Sequence, residues 1–372
     1  MADAQAKVQA LIDDLVGRDV ERGLQVAAYH NGHLVVDAWA GVADARDGRP
    51  IDGDTLFGIF SCGKGVTATV IHLLVERGTL AYDEPIASYW PEFAQNGKAE
   101  VTVRQAMAHQ SGIPQVPVGF GPAEMCDWER VVRAVGELKP LWEPGTATGY
   151  HAITYGWILG ELARRADGRP FNQIVQEEIR APLGLTSLFF GIPDSVEPRV
   201  AWLEDGPPLE GAPVPPALGA LAIPPSCIPL SSWLSRGDIR RACIPGANAI
   251  STVRDLAKHY AALARALDGP EILSDNQIRI ATTLQTDAYD LVAGRGMRKA
   301  FGYMLGGEAF NSMGSRATTF GHGGAGGSIG FADPEHRFAF ALSKTRHVAA
   351  APGADAAYLV AAETRRALGI PD

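Results

Sequence analysis

Ser61 and Lys64 stand three residues apart at the start of an apolar run, Ser61-Cys62-Gly63-Lys64-Gly65-Val66. On a helix, that spacing puts both side chains on one face, one turn from each other. A serine oxygen at a helix N-terminus meets the positive end of the dipole, and the lysine can act as the base that takes its proton. The pair alone is weak evidence, since serine and lysine at this spacing arise by chance about once in such a chain at usages of about 6–7%.

The elements that must position these residues can be read from periodicity. Val66, Val70, Leu73 and Leu74 recur at helical spacing, which predicts a helix over 61–77 closed by Gly78. Residues 4–17 form an amphipathic helical pattern. Leu24–Tyr29 and His33–Trp39 flank Asn31-Gly32, the strongest short hairpin signal. From about 80 to 195 the pattern is mostly helical, with a clear helix over Ile153–Ala166 stopped at Asp167-Gly168. Residues 203–246 are rich in Pro, Gly and Ala with few charges, which predicts a long surface loop or lid over something, at about 203–244. A helical pattern returns over 251–267. Gly327–Ala332 and Arg337–Ser343 flank Asp333-Pro334-Glu335 as a second hairpin, and a last helix is expected over about 353–368.

At 372 residues, with 46% hydrophobic and 20% charged residues, the chain has the composition of a soluble globular protein. A net charge of −9 argues against nucleic-acid binding, which needs a basic face. No apolar run is long enough to span a membrane, and the N-terminal stretch lacks the basic start and apolar core of an export signal. Cys62, Cys126, Cys227 and Cys243 are widely spaced without a CxxC, which predicts reduced thiols in a cytoplasmic protein rather than a zinc site.

Two further segments follow the Ser61–Lys64 pair in order: Gly149-Tyr150-His151-Ala152 after Pro144-Gly145, and Gly321-His322-Gly323-Gly324 before the C-terminal hairpin. With His109-Gln110-Ser111-Gly112, this order resembles the serine β-lactamase and penicillin-binding-protein superfamily. Trp90-Pro91-Glu92-Phe93, Gly156-Trp157 and Ala181-Pro182-Leu183-Gly184-Leu185 narrow the resemblance to the family VIII carboxylesterases. It touches nearly the whole chain except 203–244.

The resemblance implies an α+β fold. Residues 1–80 and 245–372 would form one discontinuous α/β lobe around an antiparallel sheet, and 81–244 a mainly helical lobe. It also implies a site: Ser61 as nucleophile, Lys64 as base, and Tyr150, held partly deprotonated near the lysine, as proton shuttle. The backbone N–H groups of Ser61 and Ala325 would form the oxyanion hole. His322 would polarise the substrate or assist Tyr150. Gly323, Gly324 and His151 are expected beside the substrate, and His109–Gly112 beneath the site as support. No metal or organic cofactor is implied. Trp202 and Trp233, which flank the lid-like segment, are expected to touch substrate.

Ala152 stands where the family has the asparagine of Tyr-x-Asn, and His322 where it has the lysine of Lys-Thr-Gly. Both departures favour ester over β-lactam chemistry. The expected function is a carboxylesterase acting on small or medium acyl esters through a Ser61 acyl-enzyme. An acyltransferase passing the acyl group to an amine or alcohol is the alternative; a β-lactamase, a peptidase or a non-catalytic scaffold comes behind it. Two other patterns are expected to be decoys. Gly321–Gly326 fits GxGxxG and Gly326–Gly330 fits GxSxG around Ser328, but a strand rather than a helix follows both.

Overall fold

The computed structural model describes residues 2–207, 216–308, 311–347 and 354–371. A seven-stranded antiparallel sheet draws its strands from both chain ends. Their spatial order is Met304–Leu305, Phe320–Gly323, Ile329–Asp333, Phe338–Lys344, Gly23–His30, His33–Asp44 and Arg49–Pro50. The central pair runs from Leu24 opposite Lys344 to His30 opposite Phe338. Both strands are buried nearly throughout, which explains why they read as continuous apolar runs rather than alternating ones. The Asn31-Gly32 turn is the expected two-residue hairpin, with φ of 50° and 90°.

Helices cover both faces. On one face, Ala2–Gly17 and Ala356–Leu368 pack together, and Ala2–Gly17 also packs on His33–Asp44. Ala4, Val8, Ile12 and Leu15, spaced for one helical stripe, are buried there with Val26, Phe331 and Phe340. Each large aliphatic side chain so buried contributes about 1.5–3 kcal/mol. On the other face lies Val253–Leu263. It stops short of the predicted 267 because Arg265 adopts φ 54°, outside helical space.

The Gly63–Glu76 helix is buried on all sides from Gly63 to Leu74 and packs against Thr154–Asp167. It begins two residues later than predicted, because Ser61 and Cys62 form the turn that enters it. Thr154–Asp167 ends at Gly168 in the left-handed region, as its sequence signals. The lid-like stretch holds the short helices Ala217–Ala222, Leu230–Leu234 and Gly237–Arg241 instead of a bare loop. Ala222, Cys227, Trp233 and Ile239 from it are buried in the main core cluster, while Leu221 and Ile228 stay exposed. Residues 208–215 of that stretch lie outside the described residues. No helix among the described residues is long and apolar enough to cross a membrane.

Candidate active site

The strand Phe57–Phe60 ends in Phe60 at φ 45°, a conformation a phenylalanine rarely takes. This bend delivers Ser61 to the head of the Gly63–Glu76 helix. Gly324 approaches from the sheet edge so closely that a Cβ there would lie 2.3 Å from the Ile59 carbonyl oxygen and 3.2 Å from Cys62 Sγ. Cys62 Sγ donates to the His322 carbonyl at 3.2 Å. The nucleophile turn and the Phe320–Gly323 strand are thus bound together. Ser61, Gly323, Gly324 and Ala325 all border one cavity of about 670 Å³, with Ser61 and Ala325 at the two sides expected to supply oxyanion donors.

Lys64 is wholly buried. Its Nζ lies 2.6 Å from the Ala152 carbonyl oxygen, 2.5 Å from that of Gly246 and 3.0 Å from Ser61 Oγ. Burial lowers its pKa to about 7. A neutral amine has two N–H bonds and one lone pair. The two carbonyls can only accept, so they consume both N–H bonds, and the lone pair is left facing the Ser61 hydroxyl. The contacts therefore hold the amine as a base aimed at Ser61.

One carbonyl of this clamp depends on a close helix–loop approach. A Cβ at Gly156 would lie 1.9 Å from the Gly246 nitrogen and 2.5 Å from the Pro245 carbonyl carbon. Gly156→Ala is expected to destabilise the protein by about 3 kcal/mol and to lower activity by displacing the Gly246 oxygen. An unchanged urea midpoint would disprove the close approach.

Tyr150 lies between the clamp and the cavity. Its ring packs 4.9 Å from that of His109 and 6.0 Å from that of His322, and Lys64 Nζ sits 4.9 Å from its centroid. The phenol shares a hydrogen bond with Ser61, but burial dominates and pushes its pKa up. The expectation of a partly deprotonated tyrosine is corrected here. In the resting site Tyr150 keeps its proton and is a donor, because a phenolate would be desolvated beside a neutral amine.

His322 is buried. Its Nδ1 donates to the Gly323 carbonyl at 2.6 Å, while Nε2 has no partner among the described residues. Burial, with Lys64 nearby, lowers its pKa to about 3. The ring is neutral with its one N–H engaged, so Nε2 accepts. It cannot polarise a carbonyl by donation, which corrects the expected role; it can accept a hydrogen bond from Tyr150, a water or a substrate N–H or O–H.

Two expected substrate contacts do not reach the cavity. His151 is buried, with Nδ1 donating to Gly149 O at 2.6 Å and Nε2 accepting from the Ile113 N–H and the Ser111 hydroxyl. It ties the His109–Gly112 stretch to the Tyr150 segment. Trp202 bonds through its backbone to Ala43 and stacks under the Arg46 guanidinium at 3.5 Å. Trp233 does line the cavity, with Ile223, Cys227 and Leu230 from the lid-like stretch. A second, apolar cavity of about 960 Å³ shares Tyr150, Ala152, Ile223 and Ala293 with the first and extends between Pro216–Ile228 and Tyr289–Gly294. The decoy Ser328 is buried, hydrogen-bonded to Ser343 Oγ at 2.8 Å and followed by a strand.

Residues that sequence reasoning missed hold Tyr150 from behind. Asp290 Oδ1 accepts from the Tyr150 N–H at 3.0 Å, and Asp290 pairs with Lys299 in the core. A lone Asp and Lys nine apart carry no sequence signal that separates a buried pair from two surface charges.

The Beta-lactamase family profile matches residues 8–365. "Esterase/beta-lactamase LipL" of Mycobacterium tuberculosis is 34% identical over 352 residues, covering 87% of this chain and 77% of that protein. A penicillin-binding-protein homologue from Caulobacter crescentus shares the fold at a TM-score of 0.86 and 35% identity, with 99% of this chain and 97% of that one covered. A family VIII carboxylesterase aligns at a TM-score of 0.87 and 32% identity over 98% and 97% of the two chains.

Proposed function

The chain belongs to the Beta-lactamase family, and from that premise we propose that it is a serine carboxylesterase acting on small or medium acyl esters. The observation that carries this reading is the wholly buried Lys64 Nζ, held by the Ala152 and Gly246 carbonyls and 3.0 Å from Ser61 Oγ, so that once neutral its lone pair faces the serine. Ser61 attacks the ester carbonyl and passes its proton to Lys64. The oxyanion develops toward the N–H groups of Ser61 and Ala325. The ammonium formed at Lys64 then favours ionisation of the nearby phenol, so Tyr150 gives its proton to the leaving alkoxide and regains one from Lys64. In the second half, water loses a proton to this pair and attacks the acyl-enzyme, and Ser61 leaves with its proton restored.

The similarity to an esterase and to a family VIII carboxylesterase supports ester substrates and water as the final acceptor. So does Ala152, which offers a methyl group where the family's asparagine would hold a β-lactam amide. The apolar cavity beside Tyr150 suits a hydrocarbon part of the substrate. Ligand-free chemistry of this kind needs neither metal nor cofactor. Four free thiols fit a reducing cytoplasm, and the reading takes the chain as two lobes, 1–80 with 245–372 and 81–244, around the cleft.

The test is p-nitrophenyl butyrate turnover with products resolved in the presence of a primary amine, and intact mass measured during turnover. A transient butyryl adduct on the Ser61 peptide with mainly free butyrate is expected. Capture of most of the acyl group by the amine would make the protein an acyltransferase. Turnover with no adduct on Ser61, even after rapid quenching, would remove the acyl-enzyme mechanism.

A further inference from the structure

Tyr150 precedes its helix by four residues, since that helix starts at Thr154. Helical hydrogen bonds therefore do not fix its backbone. What does is a carboxylate 140 residues away: Asp290 Oδ1 accepts from the N–H groups of Tyr150 at 3.0 Å, Val292 at 2.9 Å and Ala293 at 2.7 Å. Its other oxygen, Oδ2, pairs with Lys299 Nζ, which donates onward to Thr148 Oγ1 at 2.7 Å. Asp290 is 0% exposed and Lys299 1%. The Leu291 N–H bonds the Thr148 carbonyl at 3.0 Å, so the two segments are laced together on both sides of the carboxylate.

Burying an ion pair is costly, and a hydrocarbon pair of similar volume is often as stable, so the pair is weak evidence for stability and its geometry is what distinguishes it. Here a single oxygen collects three N–H donors that would otherwise point at one another. One belongs to Tyr150. The other two belong to Val292 and Ala293, which line the apolar cavity next to the phenol. We propose that Asp290, with Lys299 as its counter-ion, is a positioning residue for the leaving-group step: it sets the Tyr150 phenol and the adjoining cavity wall in one fixed relation, so that the bound alcohol oxygen meets the phenolic proton. The proposal rests on the reading of Tyr150 as the acid for the leaving group.

An ester with a poor leaving group needs that proton, and one with a good leaving group hardly does. The comparison is ethyl butyrate against p-nitrophenyl butyrate, with fluorophosphonate labelling of Ser61 as a third measure that needs no leaving-group proton. Asp290→Ala/Lys299→Met removes both charges together and so avoids stranding a buried ammonium. In this variant kcat on the ethyl ester should fall about tenfold more than on the aryl ester, with KM and labelling changed little. Asp290→Asn/Lys299→Met restores an acceptor without charge and should recover most of the loss. Tyr150→Phe calibrates the split. If Tyr150→Phe itself shows no difference between the esters, the reading of Tyr150 fails and the clamp proposal with it. If Tyr150→Phe shows the difference but Asp290→Ala/Lys299→Met lowers both esters and labelling alike, or lowers nothing, the clamp alone is overturned.

Discussion

In the Ser61→Ala protein, p-nitrophenyl butyrate turnover falls by about 10⁴-fold or more, and fluorophosphonate labelling disappears. Removing a nucleophile leaves only the residual rate that binding and oxyanion contacts provide. Two serines in neighbouring motifs are engaged elsewhere, and Ser312, which borders the same cavity, does not share the Lys64 contact of Ser61. Ser328, in the GxSxG pattern, is buried and bonded to Ser343, and Ser111 is committed to His151. Cys62, next in the chain, is buried with its thiol pKa raised by desolvation, so it supplies no thiolate. The fold should survive the change. Lys64 keeps its bonds to Ala152 and Gly246, and the loss of the Ser61 hydroxyl's hydrogen bonds to Lys64 and Tyr150 costs about 1 kcal/mol each. Turnover by Ser61→Ala at the wild-type rate, with a matching melting curve, would place the nucleophile elsewhere and undo the mechanism.

What could be read from the sequence follows a physical pattern. Ser61 and Lys64 were legible because their relation is local: three residues on a helix whose apolar spacing is explicit. The sheet from both chain ends was legible through Asn31-Gly32 and the turn at Asp333-Pro334-Glu335, since turn chemistry is also local. The carbonyls that tune Lys64 were not, because every residue has one; only the fold brings Ala152 and Gly246 to the amine. Asp290 and Lys299 were hidden for the converse reason, as charged side chains read as surface until tertiary packing buries them. His151 and Trp202, both expected beside the substrate, do not reach the cavity, and side-chain direction outside regular elements has no periodicity to read. The lid-like stretch became short helices because its apolar residues are held by the core rather than by local propensity.

The ionisation of the site follows from one imbalance. Desolvation lowers Lys64, His322 and His109 and raises Tyr150 and Cys62, so above about pH 7 the resting cluster is neutral throughout. A neutral cluster suits a neutral ester. It gives no fixed cation for a substrate carboxylate at the position where the family's Lys-Thr-Gly lysine would stand, since His322 stays uncharged above its pKa of about 3. Above about pH 7, charge appears in the cluster only when the Ser61 proton reaches Lys64, which is when the oxyanion needs a nearby positive charge.

Lys64→Met is expected to cut kcat/KM by about 10²–10⁴-fold, the usual worth of a general base, and to change the pH profile with it. In the wild type the rate should climb as pH rises through about 7, where the buried amine loses its proton. The variant has no group there and should lack that limb. The same shift has a stability consequence of known sign. The folded-state pKa lies below the unfolded value of 10.5, so between about pH 7 and 10.5 the unfolded chain binds the extra proton and wild-type stability rises with pH. Below pH 7 both states carry it, and the cost of burying the charge is present in full. Lys64→Met carries no such cost. Its stability advantage over wild type should therefore be largest below pH 7 and shrink as pH rises toward 10. Two outcomes would refute the buried neutral base: an ascending limb near pH 7 that persists in Lys64→Met, or a stability difference that does not move with pH.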